Sequence, residues 1–270
     1  MTITASMVKN LRETTGLGMM ECKKALTECD GDFDKATDLL RVRSGAKAER
    51  VSGRTAAEGR IAVSVGNGIA ALAEVNCETD FVARDDDFRA FCQQLADAAA
   101  AGNNVEKLIL ADDRDADTAR QELIMKIGEN VIIGRVATLP ISESVAHYLH
   151  TGDKIAAMLT YEGGNAAAAT ARDICMHIAA MRPKYLSPDD VPSADVEKER
   201  TIFIAQAAES GKPPEVAQKI VEGKLNKHFS ELTLLKQSFV KDGDKTVQQV
   251  LDEAGIHASG FRLLAVGSDS

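Results

Sequence analysis

The chain has 270 residues, enough for one large domain or for two to three modules with real cores. Hydrophobic residues make up 44% and charged residues 27%, an ordinary soluble balance, and no run approaches the roughly 18 consecutive apolar residues of a membrane span. A formal charge of −9, with lysines and arginines interleaved among acids, argues against phosphate-backbone binding and points to protein partners, or to nothing more than solubility.

The start, Met1-Thr2-Ile3-Thr4, lacks the basic patch and apolar stretch of a secretory signal, so a cytoplasmic protein is expected. Three short helices then follow. The first places Met7, Val8 and Leu11 on one face, with Thr4 or Ser6 as cap, and stops at Thr15-Gly16-Leu17-Gly18. The second runs from Met19 to Glu28 and ends at Asp30-Gly31, and the third carries Phe33, Ala36, Leu39 and Leu40 at helical spacing. Residues 44–57, with glycines and mixed charges, read as a linker. Basic density peaks at Arg41, Arg43, Lys47, Arg50 and Arg54, which reads as a solvated stretch more than an RNA contact.

A hairpin comes next. Ile61, Val63 and Val65 alternate, Asn67-Gly68 turns, and Ile69, Ala71, Ala73 and Val75 resume the alternation, because both turn residues tolerate the positive φ of a tight hairpin. A helix is predicted over 86–100, with Phe88, Phe91, Cys92 and Leu95 on one face, then another over 118–126 and a strand over 131–138. The plan repeats with strands at 145–150 and 155–161, turned by Thr151-Gly152-Asp153, and a helix over 166–181. Ile155-Ala156-Ala157-Met158 echoes Ile69-Ala70-Ala71-Leu72, which suggests two related α+β halves.

Pro183 and Pro188 end that helix. Two further helices, 196–210 and 215–227, joined by Gly211-Lys212-Pro213-Pro214, predict a projecting antiparallel hairpin in which Val196, Phe203, Ile204 and Ala207 face Val216, Ile220, Val221 and Leu225. A helix over 246–253 and a strand over 260–266 return the chain to the second half. The domain reading is therefore 1–53, 54–140, 141–182 with 229–270, and 183–228 as the inserted hairpin.

Enzyme signatures are missing: no phosphate-binding glycine loop, no Gly-x-Gly-x-x-Gly, no His-Glu-x-x-His and no Gly-x-Ser-x-Gly. Cys22, Cys29, Cys77, Cys92 and Cys175 form no metal spacing and read as reduced structural thiols; Cys92 and Cys175 fall within apolar helical patterns. His177 lies on an apolar helix face and reads as packed core, while His147 and His150 are expected to be exposed near a turn. No catalytic residue, resident metal or cofactor is expected. The unusual segment is Glu74 to Phe88, which leaves a strand and enters a helix with many carboxylates. Capping and offset of the helix dipole explain most of the acids, and a divalent-metal loop lacks its usual pattern. Phe81, an aromatic at a strand-to-helix corner, resists that account. The equivalent corner of the second half, Glu162-Gly163-Gly164-Asn165, has no such aromatic.

Two segments, Leu11-Arg12-Glu13-Thr14-Thr15-Gly16-Leu17-Gly18-Met19-Met20-Glu21-Cys22-Lys23-Lys24-Ala25-Leu26 and Glu74 to Arg84 centred on Thr79-Asp80-Phe81-Val82, resemble signatures of the bacterial elongation factor Ts family. Lys126-Ile127-Gly128-Glu129-Asn130 and Met176-His177-Ile178-Ala179-Ala180 also look like family segments. The resemblance implies an amino-terminal domain of the ubiquitin-associated type, a core of two related subdomains and an inserted coiled-coil hairpin. It implies guanine-nucleotide exchange on elongation factor Tu, by binding and without covalent chemistry, in a one-to-one or two-to-two complex and with no direct nucleotide contact. Thr79, Asp80, Phe81 and Val82 would enter beside the partner's nucleotide site and dislodge its Mg²⁺, with Asp80 giving charge and Phe81 the wedge. Met19, Met20, Ile127 and His150 resemble further partner contacts. Many family members continue into another carboxy-terminal helix, and a sequence closing at Ala265-Val266-Gly267-Ser268-Asp269-Ser270 is expected to lack or replace that contact.

Two other readings compete. An adaptor or chaperone-like module would bind partners without altering nucleotide release. A metal-dependent hydrolase would use Asp80 and Asp85 to Asp87, with no ordered histidine–carboxylate set to support it.

Overall fold

A computed structural model describes residues 2–66, 68–104, 108–112, 114–163, 167–209 and 213–268. Asn67 of the hairpin turn, Gly164 and Asn165 of the second corner, Ala166 at the predicted helix start, and Gly211 and Lys212 between the last long helices lie outside the described residues. The fold is α+β, and its contacts divide the chain into two compact units.

The first unit runs to Thr138 and includes Leu149–Ala156 and the last residues from Leu264. It opens with helices α1 (Ala5–Thr15), α2 (Met19–Glu28) and α3 (Phe33–Val51). Thr4 Oγ1 accepts the Met7 N–H at 3.3 Å to start α1, and Gly16, at φ +67°, donates its N–H to the Arg12 carbonyl at 2.8 Å to close it. Leu11, Cys22, Ala25, Leu26, Ala36 and Leu40 make the bundle's core. The first part of the expected linker, residues 44–51, is instead the second half of α3. Ser44, Ala48 and Val51 are buried at spacings of four and three, and Lys47 Nζ donates to the Met125 carbonyl at 2.9 Å. This stripe of small residues lets α3 lie close against α6 (Ala116–Ile127). Its low hydropathy hides it from a search for apolar periodicity.

Strands β1 (Glu58–Val65) and β2 (Ile69–Cys77) pair antiparallel, with Glu58 opposite Cys77 and Val65 opposite Ala70. Gly68, the described half of the predicted Asn67-Gly68 turn, has φ +86°. β3 (Val131–Pro140) adds beside β2 in the order β1-β2-β3. The helix predicted over 86–100 is α5 (Asp86–Ala100), and it covers the sheet with Phe88, Phe91, Cys92 and Leu95 buried. A four-residue helix, α4 (Asp80–Ala83), precedes it, too short to leave a period in the sequence.

The second unit comprises Leu139–Tyr148 and Ala157–Leu263. Its sheet places β4 (Ser144–Leu149), β5 (Ile155–Glu162) and β8 (His257–Ala265) in the order β4-β5-β8. Met158 and Leu159 of β5 and Ile174 and Ile178 of α7 (Ala168–Met181) are fully buried. α8 (Ser193–Glu209) and α9 (Pro214–Leu232) pack on each other through Phe203 and Ala207 against Val221 and Leu225. Ile204 and Val216, expected in that seam, are exposed; Ile204, adjacent to Phe203, points about 100° around the helix from it. A short hairpin, β6 (Ser238–Phe239) with β7 (Asp242–Thr246), and α10 (Val247–Glu253) complete the unit.

All five cysteines are free thiols. Burial pushes the Cys92 and Cys175 thiols up to about 12, and Cys175 Sγ donates to the Ala146 carbonyl at 3.4 Å. His177 is fully buried, as its apolar face required. Its Nδ1 accepts the Val240 N–H at 3.1 Å, so the neutral ring carries its proton on Nε2, which faces Gln237 Oε1 at 2.9 Å. Gln237 Nε2 donates to the Glu231 carbonyl at 2.7 Å, which fixes the amide so that its oxygen meets the ring.

Burial holds the His177 imidazole below its ordinary value of 6.5, with the Gln237 bond opposing the shift. The unfolded chain therefore takes up this proton at a higher pH than the folded one. The stability it confers is fully present above about pH 6.5 and is lost as pH falls through the folded value. The thermal midpoint is expected to drop on acidification from pH 6.5 to about 5. His177→Gln, which offers a donor and an acceptor without titrating, is expected to flatten that drop, as scanning calorimetry across the window would show.

Candidate partner-docking site

The segment between β2 and α5 is built as a rigid corner. Thr79, in extended conformation, starts α4 by accepting the Val82 N–H on Oγ1 at 3.4 Å. Glu129 holds the same residue twice: its carboxylate accepts the Thr79 N–H at 3.0 Å and the Thr79 hydroxyl at 2.7 Å. Glu78 answers in the opposite direction, accepting the Asn130 N–H at 2.6 Å and an Arg54 guanidinium N–H at 3.3 Å. The Asn130 amide, buried at the base, donates to the carbonyls of Ser52 at 3.3 Å and Arg54 at 2.8 Å. Cys77 Sγ donates to the Thr79 carbonyl at 3.2 Å, and Arg60 donates to the Ala83 carbonyl at 3.3 Å. Burial first, then the Glu129 and Glu58 carboxylates, push the Cys77 thiol up to about 12, so it stays a neutral donor.

Within this frame Val82 and Ala83 point into the core while Phe81 is 80% exposed. Asp80 pairs with Arg84 one turn on, at 3.0 Å. An aromatic ring left in water forgoes about 1.5–3 kcal/mol that burial would return. A partner that covers it regains that amount.

The remaining acids of the segment have local duties. Asp85 Oδ1 caps α5 by accepting the N–H groups of Asp87 at 3.0 Å and Phe88 at 3.2 Å. Asp87 pairs with Lys126 at 2.5 Å, and Asp86 lies 3.6 Å from Arg89. Among the described residues no group of three or more histidine, cysteine or acidic side chains is placed to hold a metal ion.

Met19 and Met20 open α2 and are 54% and 73% exposed. With Ile3, Val8, Lys23 and Lys126 they line an open groove of about 930 Å³. Ile127, the last residue of α6, is half-buried against the sheet's core. His150 is exposed at the turn after β4, its N–H donating to the Ile155 carbonyl at 2.9 Å. Thr79, Asp80, Phe81 and Val82 are thus gathered into one corner, and Ile127 lies two residues before the Glu129 that clamps it. Met19, Met20 and His150 belong to other elements. Glu129 and Asn130 stand in the sequence as part of a family-like segment with no role of their own. The available signal was an acid directly after Gly128, the φ +91° cap of α6, where no helical or strand periodicity explains it.

A solvent-facing aromatic thus stands on a hydrogen-bonded corner of an α+β scaffold. A family model described as elongation factor TS matches residues 78–268. An elongation factor Ts from Nitrosospira multiformis is 47% identical over 275 residues, covering 98% of this chain and 90% of the relative. One from Nitrosomonas eutropha is 48% identical over 272 residues, covering 98% and 92%, and one from Burkholderia multivorans is 46% identical over 269 residues, covering 98% and 91%. The chain belongs to the elongation factor Ts family.

Proposed function

We propose that the corner at Thr79–Val82 performs the exchange reaction, Phe81 entering beside the nucleotide site of elongation factor Tu and unseating its Mg²⁺. As a member of its family the chain is a guanine-nucleotide exchange factor for that GTPase in translation elongation. The exposure of Phe81 on a corner held from both sides carries the reading of the site.

The physics needs no residue on the nucleotide. Mg²⁺ bridges phosphate oxygens and neutralises their charge, so its loss removes much of what retains GDP. The factor must bind the nucleotide-free partner more tightly than the GDP-bound one, and by linkage GDP and the factor then weaken each other's binding by the same ratio. A wedge that fits only the rearranged nucleotide loop supplies the difference, and GTP reverses the cycle. The factor changes no covalent bond in this scheme.

The same reading makes α1, α2 and the first part of α3 a domain of the ubiquitin-associated type, the two sheets the cores of related subdomains, and α8 with α9 an inserted coiled coil. It places Met19, Met20, Ile127 and His150 on the partner and the protein in the cytoplasm, in a one-to-one or two-to-two complex that sedimentation with elongation factor Tu would tell apart. No helix among the described residues is long and apolar enough to cross a membrane. The adaptor alternative, binding without altered nucleotide release, is not favoured, since similarity to elongation factors Ts extends over nearly the whole chain.

The test is release of fluorescent GDP from elongation factor Tu, with excess unlabelled nucleotide, with and without this chain. Release is expected to accelerate with the chain. When Mg²⁺ is chelated beforehand, the partner alone is expected to release faster and the added stimulation to shrink. Equal rates with and without the chain would overturn the exchange reading, and a stimulation indifferent to Mg²⁺ would overturn the displacement step.

A further inference from the structure

We propose that Glu129 is the positioning residue of the docking corner, its carboxylate fixing Thr79 in the conformation that presents Asp80 and Phe81. The proposal rests on the reading of Phe81 as the wedge. A helix of four residues has no stability of its own, because nucleation outweighs the few bonds it makes. Its direction is therefore set at its start. There the Thr79 N–H and hydroxyl both donate to Glu129, at 3.0 and 2.7 Å.

The hydroxyl has one proton. Giving it to Glu129 turns the oxygen lone pairs toward the Val82 N–H, 3.4 Å away, so Glu129 sets the polarity of the cap as well as its place. A carboxylate acceptor makes these bonds stronger than a neutral one would.

The clasp is reciprocal. The Glu78 carboxylate accepts the Asn130 N–H at 2.6 Å while the Glu129 carboxylate accepts the Thr79 N–H, so each glutamate holds the backbone of the other segment. Gly128, at φ +91°, turns the chain out of α6 just ahead of Glu129, and its N–H closes the helix on the Ile124 carbonyl at 2.8 Å. Val82 and Ala83 anchor the far side of α4 in the core. Glu129 grips the residue immediately before the presented pair with two bonds from one side chain. The end of α6 thereby becomes the reference point from which the ring is aimed.

The experiment compares Glu129→Ala, Glu129→Gln and Phe81→Ala, singly and as the Phe81→Ala/Glu129→Ala double variant, in stimulated release of fluorescent GDP. The maximal rate at saturating factor, the concentration giving half of it and the thermal midpoint are all recorded. Glu129→Ala is expected to lower the maximal rate by roughly tenfold, the scale of losing bonds to a charged acceptor. Glu129→Gln, whose amide oxygen still accepts one bond, is expected to fall in between. In the Phe81→Ala background Glu129→Ala is expected to add less than a factor of about two, because a ring that is gone cannot be misaimed. A lowered thermal midpoint with an unchanged maximal rate in Glu129→Ala would overturn the proposal, as would multiplicative effects in the double variant. Should Phe81→Ala itself leave release unchanged, the wedge reading fails. A slow Phe81→Ala beside a normal Glu129→Ala sinks the positioning role alone.

Discussion

Phe81→Ala is expected to lower stimulated GDP release by about 30-fold while leaving the thermal midpoint of the chain unchanged. The ring is 80% exposed and so contributes little to its own fold. Covered by a partner it becomes the kind of central aromatic anchor whose truncation costs about 2 kcal/mol or more, which is the factor given. Release of fluorescent GDP at saturating factor, set beside a melting curve of the isolated chain, checks both halves. Asp80→Ala is expected to follow with a smaller loss of rate. The Asp80–Arg84 pair is itself exposed, so its removal costs the fold little.

Phe88→Ala, seven residues on, is expected to do the reverse. Phe88 is among the largest fully buried side chains and sits in the first turn of α5, where its ring fills the space between helix and sheet. Truncation removes the transfer free energy and leaves a cavity, a cost of about 3–5 kcal/mol. That is a large share of the roughly 5–15 kcal/mol that holds an ordinary domain folded. Urea unfolding followed by far-ultraviolet circular dichroism is expected to show the loss. With two compact units in the chain, it is expected to fall on the transition of the unit that contains α5. Below that transition, each folded molecule should still stimulate release within about a factor of three of the unaltered chain, because the clasp around Thr79 does not involve Phe88. A variant that loses activity in step with Phe81→Ala while remaining folded would contradict the separation of the two roles.

Much of this architecture is legible in the residues. Asn67-Gly68 between alternating strands located the first hairpin, and Phe88, Phe91, Cys92 and Leu95 at helical spacing located α5. What misled was burial without hydropathy. Ser44 and Ala48 are small, carry little apolar signal and sit beside Gly45 and Lys47, yet they are the buried stripe that keeps α3 helical to Val51. Ile204 and Val216 show the opposite error, apolar residues that the hairpin seam leaves outside. The β6–β7 hairpin escaped because its strands are short and the second opens on the polar run Asp242-Gly243-Asp244-Lys245.

The docking corner divides in the same way. The misfit of Phe81 with a capping account was visible locally, since an aromatic has no duty at a helix start. The grip of Glu129 on Thr79 was not, because it joins residues 50 apart and leaves no period in either segment. Likewise nothing in the neighbourhood of Asn130 announces that its amide will meet carbonyls of residues 52 and 54.

The unbroken α3 has a mechanical meaning. Nineteen residues at 1.5 Å each make a rod of roughly 28 Å, beginning in the bundle that carries Met19 and Met20 and finishing against α6, whose far end leads directly to Glu129. No hinge interrupts it. The bundle that carries Met19 and Met20 is thus joined to the sheet of the same unit through continuous helix packed on α6, and not through a loop alone.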